Sequence, residues 1–170
     1  TQKVPVVAPL GNESEYNPST SLARMTGVVG ASSVYPDGSL TSYSNYGDFV
    51  SAASVSRPYA RSGITWETGY WQGTSFASPT IASFVALAKQ SWPEATGNQL
   101  LQALARTGIG GNGGYWNPYT GYGAVDPYVL LTTNPTQFPD ENPFLNKGYE
   151  SIPTQRDIAD YADGLVDPRR

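Results

Sequence analysis

This 170-residue chain contains no histidine and no cysteine, and only 14% of its residues are charged. Without cysteine there is no disulfide scaffold and no thiolate zinc site, although the compartment stays open, because many secreted bacterial proteins also lack the residue. Without histidine, a nucleophilic side chain has no imidazole within this chain to take its proton. A net charge of −4 and the lack of a basic stripe argue against nucleic acid as a partner. No apolar run approaches the ~20 residues of a bilayer span. The opening stretch TQKVPVVAPLGN has no room for a secretory hydrophobic segment, so a targeting signal is expected to have been removed or never included. What the chain has in quantity is 18 Gly, 14 Pro and 12 Tyr, the composition of a loop-rich globular protein. Its length suits one domain, but length alone does not make it a whole one.

Three apolar runs bounded by turn residues read as buried strands: residues 4–8, 25–31 and 49–55. The first delivers Gly11 and Asn12 at its C-terminal end. Pro36, Asp37 and Gly38 form a turn tripeptide and predict a hairpin-like excursion. From residue 75 to about 91, SFASPTIASFVALAKQS is apolar almost all round, the pattern of a buried helix, with Pro79 in its first turns where proline costs least. TGNQLLQALARTG predicts a second helix, with Thr96 and Gln99 as a capping box and Gly108 as the stop. After Leu131 the character changes. Residues 132–170 hold seven acidic and four basic residues and five prolines, with TQRDIADYADGL as the only suggestion of a short helix. This reads as an extension that wraps the domain or leads to a further segment.

The stretch GTSFASP, residues 73–79, carries the chemistry. A serine hydroxyl is a weak nucleophile that needs exposure on a sharp turn, a base, and donors for the oxyanion formed on attack. Gly73 permits the turn. Ser75 then sits at a helix N-terminus, where unpaired amides and the helix dipole favour negative charge. Asn12, following Gly11 at a strand end, offers a side-chain amide as a second donor.

These residues resemble the subtilisin-like serine peptidases. The family's nucleophile motif runs Gly-Thr-Ser, a variable residue, Ala, a variable residue, Pro, and Gly73, Thr74, Ser75, Ala77 and Pro79 match it in register. VPVVAPLGNES is similar to the segment carrying the family's oxyanion asparagine, which maps onto Asn12. TGVVGASS, LTSYSNYGDFVSAAS and YTGYGAVDPYVLL resemble later segments in the right order, so the likeness covers about residues 4–131. It implies an α/β fold: part of a three-layer architecture with a mainly parallel sheet and helices on both faces. Residues 1–131 are then the C-terminal half of a peptidase domain and 132–170 the Pro- and acid-rich extension. In the family the triad runs Asp, His, Ser along the chain, so the first two would precede Thr1. The resemblance therefore implies three things: a polypeptide substrate, a partner in the N-terminal half that carries Asp and His, and an isolated chain that is inactive and unstable or associated. It also implies a secreted or cell-envelope location and no identified cofactor, allowing only a structural calcium.

The same resemblance makes residues 9–11 and Glu13 part of the pocket for the side chain preceding the cleaved bond. Pro9 and Leu10 stand where the family has small residues just before Gly11, implying a smaller or altered pocket. Glu13 at its rim is either a selector for basic side chains or simply solvated. Thr80 and the SAAS at 51–54 depart from the family pattern without touching the nucleophile. The sequon at Asn12 reads as coincidence, since a glycan there would obstruct the oxyanion donor. Asp140 with Glu141, and Asp157 with Asp160, lack a calcium-loop pattern and read as solvated faces. The aromatics at 115, 116, 119 and 122 read as packing rather than base stacking, in a stretch of 131 residues with six Lys and Arg. The Gly-rich loop at 108–114 lacks the ending of a phosphate cradle. The alternative is a non-catalytic subtilisin-like module whose interface is the extension. Keeping both Ser75 and Asn12 argues against it.

Overall fold

The computed structural model describes residues 4–18, 21–110 and 115–145. Three parallel strands, β1 (Val7–Pro9), β2 (Val29–Val34) and β3 (Ala52–Val55), form a sheet in the order β1-β2-β3, with Val7 beside Val29 and Ala31 beside Ala52. Each strand starts three or four residues later than its apolar run. The displaced residues have other work: Met25 caps a single 3-10 turn (Leu22–Arg24), and Phe49 and Val50 pack into a core cluster with Ala8, Leu10 and Ala23. Residue 30 must be glycine for a simple reason. A Cβ there would stand 2.2 Å from the Phe49 carbonyl oxygen, and Ser51 Oγ accepts the Gly30 N–H at 2.9 Å.

The turn at 36–39 forms as expected. The Gly38 N–H reaches the Tyr35 carbonyl at 2.9 Å, and Val34 bridges Leu40 in antiparallel sense. A second hairpin, β4 (Tyr59–Arg61) with β5 (Thr68–Tyr70), has no counterpart in the sequence reading. Its three-residue strands alternate exposed and half-buried positions and are too short to give a periodic signal. The Arg57 and Arg61 guanidinium groups lie 4.8 Å from the ring centroids of Tyr70 and Trp66.

Three helices follow: α1 (Thr74–Ser91), α2 (Gly97–Arg106) and α3 (Pro127–Thr132). Helix α1 packs across all three strands of the sheet. It buries Ala77, Ser78, Ile81, Val85 and Ala88, the 3–4 spacing of one helix face, against Val29, Ala31 and Ala52. The expectation of all-round burial is corrected, because Ala82, Ala86 and Leu87 on the other face are exposed. Helix α2 carries the capping box as read: Thr96 Oγ1 accepts the Gln99 N–H at 3.2 Å, and Gln99 Oε1 accepts the Thr96 N–H at 3.0 Å. The expected low cost of Pro79 also needs correction. With the helix starting at Thr74, Pro79 is its sixth residue, and the missing N–H leaves the Ser75 carbonyl without its i+4 donor.

The opposite face of the sheet carries, among the described residues, the 3-10 turn and the Phe49–Val50 cluster. Residues 117–125 run along β3, where Ala53 donates to the Gly123 carbonyl and Val125 donates to the Ala53 carbonyl. The aromatic group divides. Tyr119 stacks on Tyr46 at 5.4 Å and Tyr122 lies 6.0 Å from Phe144, while Tyr115 is exposed. Residues 132–145 wrap α2. Gln99 Nε2 donates to the Thr136 and Phe138 carbonyls, Gln102 Nε2 to that of Glu141, and Phe144 enters the main core. The expected helix in TQRDIADYADGL, the pair Asp157 and Asp160, and residues 111–114 of the Gly-rich loop lie outside the described residues.

Candidate active site

The end of β1 and the start of α1 meet. Gly73 caps the helix at φ +143°, a conformation open to glycine, and a Cβ there would stand 3.4 Å from Asn12 Nδ2. Thr74, at 0% exposure, ties the two segments together. Its N–H donates to Asn12 Oδ1 at 2.8 Å, and its Oγ1 accepts the Gly11 N–H at 3.1 Å. The Thr74 hydroxyl donates toward Asn12 Oδ1 and the Gly11 carbonyl, with Oγ1 at 3.1 Å and 3.3 Å from the two oxygens.

These bonds settle which way the Asn12 amide faces. An N–H donor requires an oxygen opposite it, so Oδ1 faces the helix and Nδ2 is the outward donor. Ser75 is exposed as the second residue of α1, and its N–H has no hydrogen-bond partner among the described residues. One exposed hydroxyl and two uncommitted donors therefore stand at a helix N-terminus.

The turn is held from behind by Tyr43, whose hydroxyl accepts the Gly73 N–H at 3.1 Å. Burial pushes the Tyr43 hydroxyl up, but its hydrogen bonds with Ser33, Ser56, Thr41 and the Gly73 backbone outweigh this and leave it below the ordinary tyrosine value. Ser33 and Ser56 also hydrogen-bond one another beneath the turn.

Of the residues assigned to the substrate pocket, Pro9 and Glu13 are exposed and Gly11 is half-buried at φ +104°. Leu10 is different. At 1% exposure it packs with Ala8, Ala23, Phe49 and Val50, so its side chain is core and not pocket surface. Alternation explains the split, since successive residues at the end of β1 point to opposite faces. The Glu13 carboxylate is engaged, accepting the Asn12 N–H at 2.8 Å and the Asn45 Nδ2 at 2.6 Å. The sequence matches Thr74 to the motif without assigning its bonds, and assigns no role to Tyr43 or Asn45. Thr74 carried a signal, a hydroxyl between Gly73 and Ser75, whereas Tyr43 and Asn45 lie in a segment with no pattern that ties it to either glycine. Among the described residues no three His, Cys, Asp or Glu side chains gather where they could hold a metal ion.

The fold is a parallel α/β sheet, with a serine at the N-terminus of the helix crossing it and an asparagine amide at the adjoining strand end. The chain belongs to the subtilase family, whose model matches residues 2–123. It is 35% identical over 75 residues to mycosin-1 of Mycolicibacterium smegmatis, covering 44% of this chain and 16% of that protein. It is 39% identical over 66 residues to fervidolysin of Fervidobacterium pennivorans, covering 39% of this chain and 9% of that protein. Among solved structures, a protease from Pseudoalteromonas arctica superposes with a TM-score of 0.60 at 28% identity, over 74% of this chain and 42% of that one. The chain thus spans less than half the length of each of these relatives.

Proposed function

We propose that this chain supplies the nucleophile and oxyanion hole of a subtilisin-like serine endopeptidase. Ser75 Oγ attacks the peptide carbonyl, and the oxygen that becomes negative is held by Asn12 Nδ2 and the Ser75 N–H. The serine proton passes to a histidine in the N-terminal half of the same domain, oriented there by an aspartate, and then to the departing amine. Water, deprotonated by the same histidine, cleaves the acyl-enzyme and regenerates Ser75. The observation that carries this reading is the Asn12 Oδ1 to Thr74 N–H bond of 2.8 Å, which leaves Asn12 Nδ2 as the free donor at the N-terminus of the helix that carries Ser75.

Two surfaces support a missing half as the partner. Among the described residues β1 pairs only with β2, so its other edge is open. Beside it lies a cleft of about 550 Å³ lined by Val4, Val7, Ala82, Val85, Ala86 and Leu100, on the exposed flank of α1. An intact domain covers both with its N-terminal strands and helices. A secreted or cell-envelope location belongs to the same proposal. Among the described residues no helix is long and apolar enough to cross a membrane.

A fluorophosphonate probe tests the reading. It should label Ser75 when the chain is combined with a half carrying Asp and His, and label neither the chain alone nor a Ser75→Ala variant. A reassembled protein that takes no label would instead favour a non-catalytic subtilisin-like module. The docking claim fails if the chain alone is monomeric and melts cooperatively.

A further inference from the structure

Asn45 is 1% exposed, and its side chain is fully used. Its Oδ1 accepts the Glu13 N–H at 3.1 Å and the Glu15 N–H at 2.8 Å. Its Nδ2 donates to the Leu10 carbonyl at 3.0 Å and to Glu13 Oε2 at 2.6 Å. A primary amide has two donors and two acceptor sites, so this one is saturated, and every partner lies in residues 10–15. That loop carries Asn12. The Asn45 backbone joins in, its N–H reaching the Gly11 carbonyl at 3.1 Å, with Tyr46 N–H on the Glu15 carbonyl beside it.

The loop also lies directly against the amide. A Cβ on Gly11 would stand 2.4 Å from Asn45 Nδ2, so glycine is what lets the chain pass over it. From the same Gly11 the N–H continues to Thr74 Oγ1. Asn45 thus fixes one side of Asn12 and Thr74 fixes the other. The side chain makes no hydrogen bond outside this loop among the described residues, which separates it from a general core-packing role.

We infer that Asn45 is a positioning residue for the oxyanion donor, acting on catalysis only through Asn12; the inference rests on the reading of Asn12 proposed above. No other side chain repeats the pattern. Aspartate keeps the two acceptor bonds but loses both donors and faces the Glu13 carboxylate, and leucine offers neither kind of bond.

The test is a double-mutant cycle in the reassembled peptidase, with kcat and KM measured on a chromogenic peptide and active sites counted by fluorophosphonate. Asn45→Ala should lower kcat about tenfold, with KM changing far less, and should add little further loss once Asn12 is alanine, the signature of residues acting through one interaction. Asn45→Asp, close in shape, repeats the cycle should the alanine variant fold poorly. An equal loss from either variant in the Asn12→Ala background, or no loss with Asn12 intact, overturns the inference and leaves the oxyanion reading standing. Full activity of Asn12→Ala overturns both.

Discussion

The side-chain carbonyl of Asn12 accepts the backbone N–H of Thr74 at 2.8 Å, although 62 positions of chain separate the two residues. This bond fills one of the amide donors that a helix N-terminus leaves unpaired, and it turns the other end of the Asn12 amide away from the helix. One contact therefore caps the helix and aims a donor.

Thr74→Val keeps the shape and removes the hydroxyl, leaving the Gly11 N–H without its acceptor. Measured on the reassembled peptidase, the unfolding midpoint should fall by an amount corresponding to about 1–3 kcal/mol. In the reassembled peptidase kcat should fall more than KM rises. An unchanged midpoint in denaturant would show the Thr74 hydroxyl to be unimportant.

Asn12→Ala should reduce turnover by about 10²–10³, a value carried over from a subtilisin that lost its oxyanion-hole asparagine and not deduced for this chain. Steady-state kinetics at saturating peptide would measure it, and fluorophosphonate labelling would count the sites.

Leu10 and Pro9 are neighbours with opposite expectations. Leu10→Ala empties a buried site and should cost about 2–5 kcal/mol of stability, with the order of preferred peptides unchanged. Pro9→Ala should leave stability nearly unchanged and alter the ranking of peptides that differ just before the cleaved bond. Melting curves and a peptide panel together distinguish the two.

Asp37 provides a pH reading. Hydrogen bonds from the Ser39 side chain and backbone hold its carboxyl below the ordinary aspartate value. A depressed carboxyl stabilises the turn above the unfolded pKa, and that support is lost as pH falls through the folded value. Ser39→Ala should move the Asp37 titration upward, as followed by its side-chain carboxyl NMR signal. A titration that does not move would assign the depression to something other than Ser39.

The sequence made the framework legible where a pattern repeats or a motif is long. Three apolar runs became three strands, and Thr96 with Gln99 became a capping box, because each signal is local. Strand starts were missed because Phe49 and Val50, apolar like a strand, are used to fill the far side of the sheet. Helix α1 misled in another way. Its composition answers to neighbours on two sides, and the described residues contact it on one, leaving Ala82, Ala86 and Leu87 exposed. Of the candidate site, GTSFASP and Asn12 were readable as motif. Tyr43 and Asn45 hold them through hydrogen bonds between distant segments, and such bonds leave no periodic trace; Thr74 belongs to the motif, but its ties to Gly11 and Asn12 are equally without one.

The joining of Asn12 to Thr74 also bears on the order in which the molecule assembles. Closing a flexible loop of that length costs about 4 kcal/mol of chain entropy, which one hydrogen bond does not repay. The contact therefore has to wait until the sheet and α1 have drawn its two ends together. In pulse-labelled refolding the Thr74 amide should gain protection after those of β2 and the middle of α1, which would place the site later than the sheet and helix it joins.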